Sequence, residues 1–309
     1  MKRIAIVGGS CVDIFATSAS PLISHDSNPG KVNIGFGGVG RNIAENLARL
    51  GQDATLIAPF GSDPFSARML DCTASAGVHT EHALIAPDCQ APFYVSINDS
   101  HGDMAVAVND MQICELITPE VLSTKLDILN TCDAVILDAN IPQESVSFLA
   151  KHCAPPLFAE AVSMKKAGKL LPSLPRFTAL KANVQEAQAL LGIQVTNDLR
   201  SLEGAANRFH AMGIPHVFIT LGKHGAFYSG FGKQFLQTAY PVNAINWNGC
   251  GDAFCAAAFL GVLEQEPPQR LLRNALAAAA FTAESAQAVH PHISMEAIRT
   301  FTDEMRKQA

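Results

Sequence analysis

The stretch NGCGDAFCAAAF, Asn248 to Phe259, sets one acidic side chain directly behind two glycines at the mouth of an otherwise apolar segment. At a helix start, the backbone N–H groups of Gly249, Cys250 and Gly251 and the helix dipole together make a place for an anion. Glycine lets the backbone come close to a ligand oxygen, since no Cβ intervenes. Asp252, in the first turn, is then placed to take a proton from a hydroxyl that attacks a phosphorus held by those N–H groups. An Asp that only favours a helix N-terminus is the plainer account. The Cys250 thiol is either acidified and reactive at the helix start or a small residue standing in for Ala.

Three further groups could do chemistry. In ALKANVQEAQALLG, Asn183 and Glu186 lie three residues apart, just past a strand and at a helix start. That spacing suits a hydrated Mg²⁺ and its phosphate oxygens, and equally a capping box that needs no metal. In ITLGKHGAFY, Thr220, Gly222 and Gly225 shape either a nucleotide-facing loop or a hairpin turn. In GFGGVGRNIAENLARLG, Gly35, Gly37 and Gly40 match a dinucleotide fingerprint in form, but the next strand, ATLIAPF, ends without the acid that a ribose would need. A close backbone approach to a sugar, with Asn42 donating hydrogen bonds, fits this segment better. Lys165, Lys166 and Lys169 read as a charged helix face rather than phosphate ligands, and His290 and His292 as solvated loop residues.

These residues need a scaffold. IAIV, ATLIAPF, AVILDAN, PLFAEA, TALKAN and HVFITLG are apolar runs that predict buried strands, and helical patterns alternate with them. One predicted helix covers TPEVLSTKLDILN, with Thr118 as N-cap and Pro119 in its first turn. Two Ala-rich helices flank Pro267 and Pro268, and the stripe Leu271, Leu272, Ala275, Leu276, Ala279 reads as core. Such alternation implies an α/β fold with a mostly parallel sheet and helices on both faces. Residues 13–36 and 92–115 lack helical patterns and are expected to pair into a small β-sheet lid. The large domain then comprises 1–12, 37–91 and 116–309.

The chain has 309 residues and a net charge of -6, which argues against nucleic acid held on a broad basic surface. Its eight cysteines show no CxxC pair and no zinc spacing, as in a reducing compartment. No apolar run reaches the length of a membrane span, and MKRIAIVGG is too short for a secretion signal. A cytoplasmic protein without membrane partners is expected.

GGVGRNIAENLARLG, KANVQEA, TLGKHGAFY and NGCGDAF, in that order and spacing, resemble the PfkB (ribokinase-like) carbohydrate kinases over essentially the whole chain. The resemblance implies a ribokinase-like fold and phosphoryl transfer from ATP. It makes Asp252 the catalytic base and Gly249, Cys250 and Gly251 the anion hole. Asn183 and Glu186 would organise Mg²⁺, through water, and the ATP phosphates, while Thr220, Gly222 and Gly225 lie along the nucleotide. Asp13, Gly38 and Asn42 would hold ribose hydroxyls, and Asn109 and Asn140 would face the substrate.

DSNPGKVNIGFGGVGRN and VAVNDMQI are similar to the nucleoside-kinase branch of that family, so the acceptor expected is the nucleoside pseudouridine. Another nucleoside, or a free sugar such as ribose or fructose, is the nearest alternative. A nucleoside-binding sensor without turnover is the more distant one. Asn248, Cys250, Glu160, Ala161 and Ala182 depart from the family pattern, and Asn246 stands where an Asp near a K⁺ site is usual, which leaves activation by K⁺ open. Pairing of lid edges predicts a homodimer.

Overall fold

The computed structural model describes residues 1–308. Ala309, the last residue of the expected large domain, lies outside the described residues. The strands are β1 (Arg3–Val7), β2 (Cys11–Ser18), β3 (Gly30–Gly37), β4 (Asp53–Ile57), β5 (Pro59–Phe60), β6 (Leu84–Ile85) and β7 (Phe93–Asn98). They continue with β8 (Met104–Asp110), β9 (Ala134–Asp138), β10 (Leu157–Glu160), β11 (Phe177–Asn183), β12 (His216–Thr220), β13 (Ala226–Gly230) and β14 (Lys233–Gln237).

The main sheet runs β14-β13-β12-β11-β10-β9-β1-β4. It is parallel from β12 to β4, and the β13–β14 hairpin adds an antiparallel edge. Its strands are apolar on both faces because both faces are covered. Ile4 and Ile6 of β1 point into one core, shared with Phe158, Phe218, Phe254 and Phe259. Ala5 and Val7 point into the other, shared with Leu137, Leu180, Leu202 and Phe209. The helix Cys250–Leu263 is apolar all round and almost wholly buried, as a helix at the centre of a core must be.

A second sheet, ordered β3-β2-β7-β8, takes in most of the two segments expected to pair as a lid, with Cys11, Val12 and Gly37 extending it beyond 13–36. Its register sorts the side chains by face. Ile14 lies opposite Ile34 and Val95, Ala16 opposite Val32 and Ile97, and these in turn meet Val108 and Val106. The other face carries Asp13, Phe15, Tyr94 and Asn109. One face is therefore apolar and the other is chemically equipped.

Three elements differ from the sequence-based expectation. TPEVLSTKLDILN forms two short helices, Pro119–Ser123 and Leu126–Asn130, because the first turn closes on itself at Thr124. The edge strand β14 and the helix Met295–Gln308 lie in polar sequence that gave no apolar run to follow. Among the described residues, no helix is long and apolar enough to cross a membrane.

Candidate active site

The C-terminal ends of β1, β9, β10, β11 and β12 stand side by side, the edge at which open α/β sheets carry ligands. Against that edge sits the start of the helix Cys250–Leu263. Its N-cap, Gly249, is left-handed at φ 79, and a Cβ there would lie 1.8 Å from the Ala288 carbonyl oxygen. Only glycine fits. The first helical bonds run from the N–H groups of Asp252 (3.1 Å) and Ala253 (2.9 Å) to Gly249 O. The N–H groups of Cys250 and Gly251 therefore have no acceptor within the helix.

Asp252 accepts a hydrogen bond from Asn42 Nδ2 at 2.8 Å. The Arg41 guanidinium fixes that amide by donating to Asn42 Oδ1 at 3.1 Å, so the NH₂ end must face the carboxylate. Burial pushes the Asp252 carboxyl up to about 7, against the Asn42 bond that lowers it. A carboxyl tuned so near neutrality can exchange a proton with an alcohol as its charge develops.

Two cavities meet at this turn. One, of about 800 Å³, is lined by Thr220, Gly222, Gly225, Cys250 and Gly251, with Tyr240, Trp247, Phe254, Leu276 and Ala280 as apolar walls. The other, of about 570 Å³, is lined by Asp13, Gly38, Asn42, Asn109, Asn140, Gly249 and Asp252, with Phe15 and Tyr94 from the lid. Within six consecutive residues, Trp247, Cys250 and Gly251 face the first cavity, and Asn248, Gly249 and Asp252 face the second. Thr220, Gly222 and Gly225 thus line one chamber, and Asp13, Gly38, Asn42, Asn109 and Asn140 the other.

Asp13 crosses from the lid into the second cavity. It lies so close to β3 that a Cβ on Gly37 would meet its Oδ2 at 2.1 Å. Burial raises its carboxyl to about 6. Asn140 is held by Asp138, whose Oδ1 accepts the Asn140 N–H at 2.8 Å, and by Lys166, whose Nζ donates to Asn140 Oδ1 at 2.5 Å.

Asn183 and Glu186 form the capping box. Glu186 N–H donates to Asn183 Oδ1 at 2.8 Å, and Asn183 N–H to Glu186 Oε2 at 2.7 Å. Neither residue lines either cavity, although Asn183 is the register partner of Thr220, which does. No group of three His, Cys, Asp or Glu side chains that could hold a metal occurs among the described residues.

Several features were missed from sequence or are corrected. Lys181 and Glu160 form a buried ion pair at 2.5 Å behind the turn, with the ammonium 3.5 Å from where a Gly251 Cβ would sit. Burial works to strip the Lys181 proton, but Glu160 and Glu186 more than offset it. Glu160 Oε2 also accepts the N–H of Val162 at 2.5 Å, holding that β-branched residue at φ 65 in the wall of the second cavity. Two charges inside otherwise apolar strands were the available signal, because a buried charge demands a partner.

Lys165, Lys166 and Lys169 do not form a helix face; they line the second cavity. Burial, with Asp252 nearby, pushes the Cys250 thiol up to about 12, so it is no activated nucleophile. Leu276 and Ala279 line the first cavity and are not core alone. His290 is half-buried with its ring 4.8 Å from Phe281, whereas His292 is exposed as expected.

The model of the pfkB family of carbohydrate kinases matches residues 1–294. The chain is 34% identical to the pseudouridine kinase of Escherichia coli K12, over 82% of this chain and 81% of that protein. It is also similar in structure to a carbohydrate kinase from Agrobacterium tumefaciens, with a TM-score of 0.85, 28% identity, and 98% and 97% of the two chains covered. The ribokinase of Arabidopsis thaliana, whose structure holds ribose and ATP, shares the fold with a TM-score of 0.85 at 20% identity, covering 97% of this chain and 98% of that one.

Proposed function

The chain belongs to the pfkB family of carbohydrate kinases, and on that premise we propose that it transfers the γ-phosphoryl group of ATP to the ribose 5′-hydroxyl of a nucleoside, pseudouridine foremost. One observation carries the reading: Asp252 and the open N–H groups of Cys250 and Gly251 lie where the two cavities meet. A triphosphate seated in the larger cavity ends against those N–H groups. A ribose in the smaller cavity, held by Asp13, Gly38 and Asn42, brings its primary hydroxyl to Asp252.

Asp252 then accepts the hydroxyl proton as the oxygen attacks the γ-phosphorus in line. The Cys250 and Gly251 N–H groups, backed by the Lys181 ammonium, meet the charge that grows on the transferred group. Mg²⁺ accompanying the triphosphate would be held through water by Glu186 and Asn183 and would neutralise phosphate charge. The three lysines of the acceptor cavity are donors only, which suits the carbonyl oxygens of a uracil-type base. Phe15 and Tyr94 offer ring surface for its face.

The outer lid face supports a homodimer. Val32, Ile34, Val106 and Val108 are exposed there in one contiguous apolar patch, 64% of Val32 and 67% of Val108 being open to solvent. A soluble monomer rarely leaves such a patch uncovered.

The test is ADP release with pseudouridine, uridine, inosine, adenosine, ribose and fructose in competition, with and without K⁺. Pseudouridine is expected to give the highest kcat/KM. A free sugar outrunning every nucleoside would reassign the acceptor, and no turnover with any of them would leave a binding protein.

A further inference from the structure

Trp247 is the single tryptophan of the chain. It stands two residues ahead of Gly249 in the wall of the larger cavity, and 65% of it is exposed. The loop on either side is fastened. Ile245 and Asn246 donate their N–H groups to Ala283 O at 2.7 and 3.2 Å, and the Asn248 N–H donates to Asn246 Oδ1 at 3.0 Å. Among the described residues no aromatic ring stacks on the indole. The fastened loop thus offers a large, flat π-surface to a chamber lined by the apolar groups of Val242, Phe254, Leu276 and Ala280, with Thr220, Lys223 and Tyr240 as its polar lining.

We propose that Trp247 is the stacking surface for the purine ring of the phosphoryl donor. The inference rests on the kinase reading above and adds a residue with a role of its own. Such a contact suits a planar heteroaromatic ring: an indole stacks on any base face, and the apolar walls exclude the water that an empty chamber would hold. Because only Asn248 separates Trp247 from Gly249, a seated base also steadies the turn that offers its N–H groups to the phosphates.

The lone tryptophan makes the test direct, since any change in indole fluorescence reports on this position. Titration of the full chain with ATP or ADP is expected to quench the emission saturably, and inorganic tripolyphosphate, which lacks a base, to leave it unchanged. Trp247→Ala should raise KM for ATP on the order of ten- to a hundredfold, with KM for the acceptor within about twofold and Trp247→Phe restoring most of the loss. An unchanged ATP KM in Trp247→Ala, equal quenching by tripolyphosphate, or quenching by the acceptor nucleoside alone would overturn the assignment while leaving the kinase reading intact. If no acceptor is phosphorylated, the kinase reading falls, and ADP quenching of the wild-type chain still decides whether a base stacks on Trp247.

Discussion

Asn42 Nδ2 and Asp252 Oδ2 lie 2.8 Å apart and join the first turns of the helices Val39–Arg49 and Cys250–Leu263 across 210 positions of chain. The amide expected to hold a ribose hydroxyl is therefore the one that steadies the carboxylate. Replacing it with Ala should raise the acceptor KM and lower kcat together, about tenfold each, because one contact serves both binding and the orientation of the base. Asn42→Asp places a second carboxylate beside Asp252 and disfavours its ionisation, so the acid limb of the pH–rate profile should move to higher pH. A limb that stays in place in Asn42→Asp removes Asn42 from the proton path.

Activity should fall in acid with a defined shape. Asp252 must be ionised to accept a proton, and its carboxyl titrates at about 7. Below that pH, kcat/KM should drop about tenfold per unit. Asp13, raised to about 6, must also be ionised if it accepts from a ribose hydroxyl, so the slope should double below 6. A profile flat from pH 5 to about 8 would exclude Asp252 as the base.

Asp252→Asn should abolish turnover by several orders of magnitude while acceptor binding, measured calorimetrically, survives. Stability should move the other way. A carboxyl whose pKa rises from 3.8 to about 7 on folding contributes most below its unfolded value, and that contribution is lost as pH climbs through 7. The Asn variant lacks this penalty. It should melt on the order of 2–4 °C higher than wild type at pH 8, the gap closing near pH 4.

Removing one partner of the buried Lys181–Glu160 pair strands the other. Lys181→Met should cost about 3–5 kcal/mol in urea unfolding, and much of that should return in the double variant with Glu160→Leu. Glu160→Gln tests a separate role, because Glu160 also accepts the Val162 N–H. A neutral amide strands Lys181 as well, so the stability loss should be similar, whereas its oxygen can still accept from Val162 and the acceptor KM should change little. A double variant no more stable than Lys181→Met would mean that shape, not charge, sets the cost.

Lid-to-lid association gives a further outcome. Val106→Lys together with Val108→Lys should convert a dimer to a monomer in sedimentation equilibrium, with the thermal unfolding of the main domain unchanged. A wild-type chain that sediments as a monomer at all concentrations would exclude the interface.

Much of this molecule could be read from its residues. The parallel strands announce themselves as short apolar runs because both of their faces are covered. Asp252, Gly249 and Asn42 stood out because each sits at a helix start, where chemistry is local. Features that depend on register did not. Glu160 and Lys181 meet only because β10 and β11 align those two positions, a fact that neither segment carries alone. The lysines at 165, 166 and 169 were misplaced because one short helical turn, Met164–Ala167, runs into a tighter one broken by Pro172 and Pro175, so helical spacing gives no face. That neighbours along residues 247–252 face two different cavities likewise needed the folded turn.

That back-to-back turn dictates an order of events. If the two cavities hold donor and recipient as proposed, the turn between them brings both to Asp252, so both must be aboard at once. Initial-rate plots should then intersect instead of running parallel, and a chiral isotopic label on the migrating phosphorus should emerge inverted, the signature of one direct hand-over.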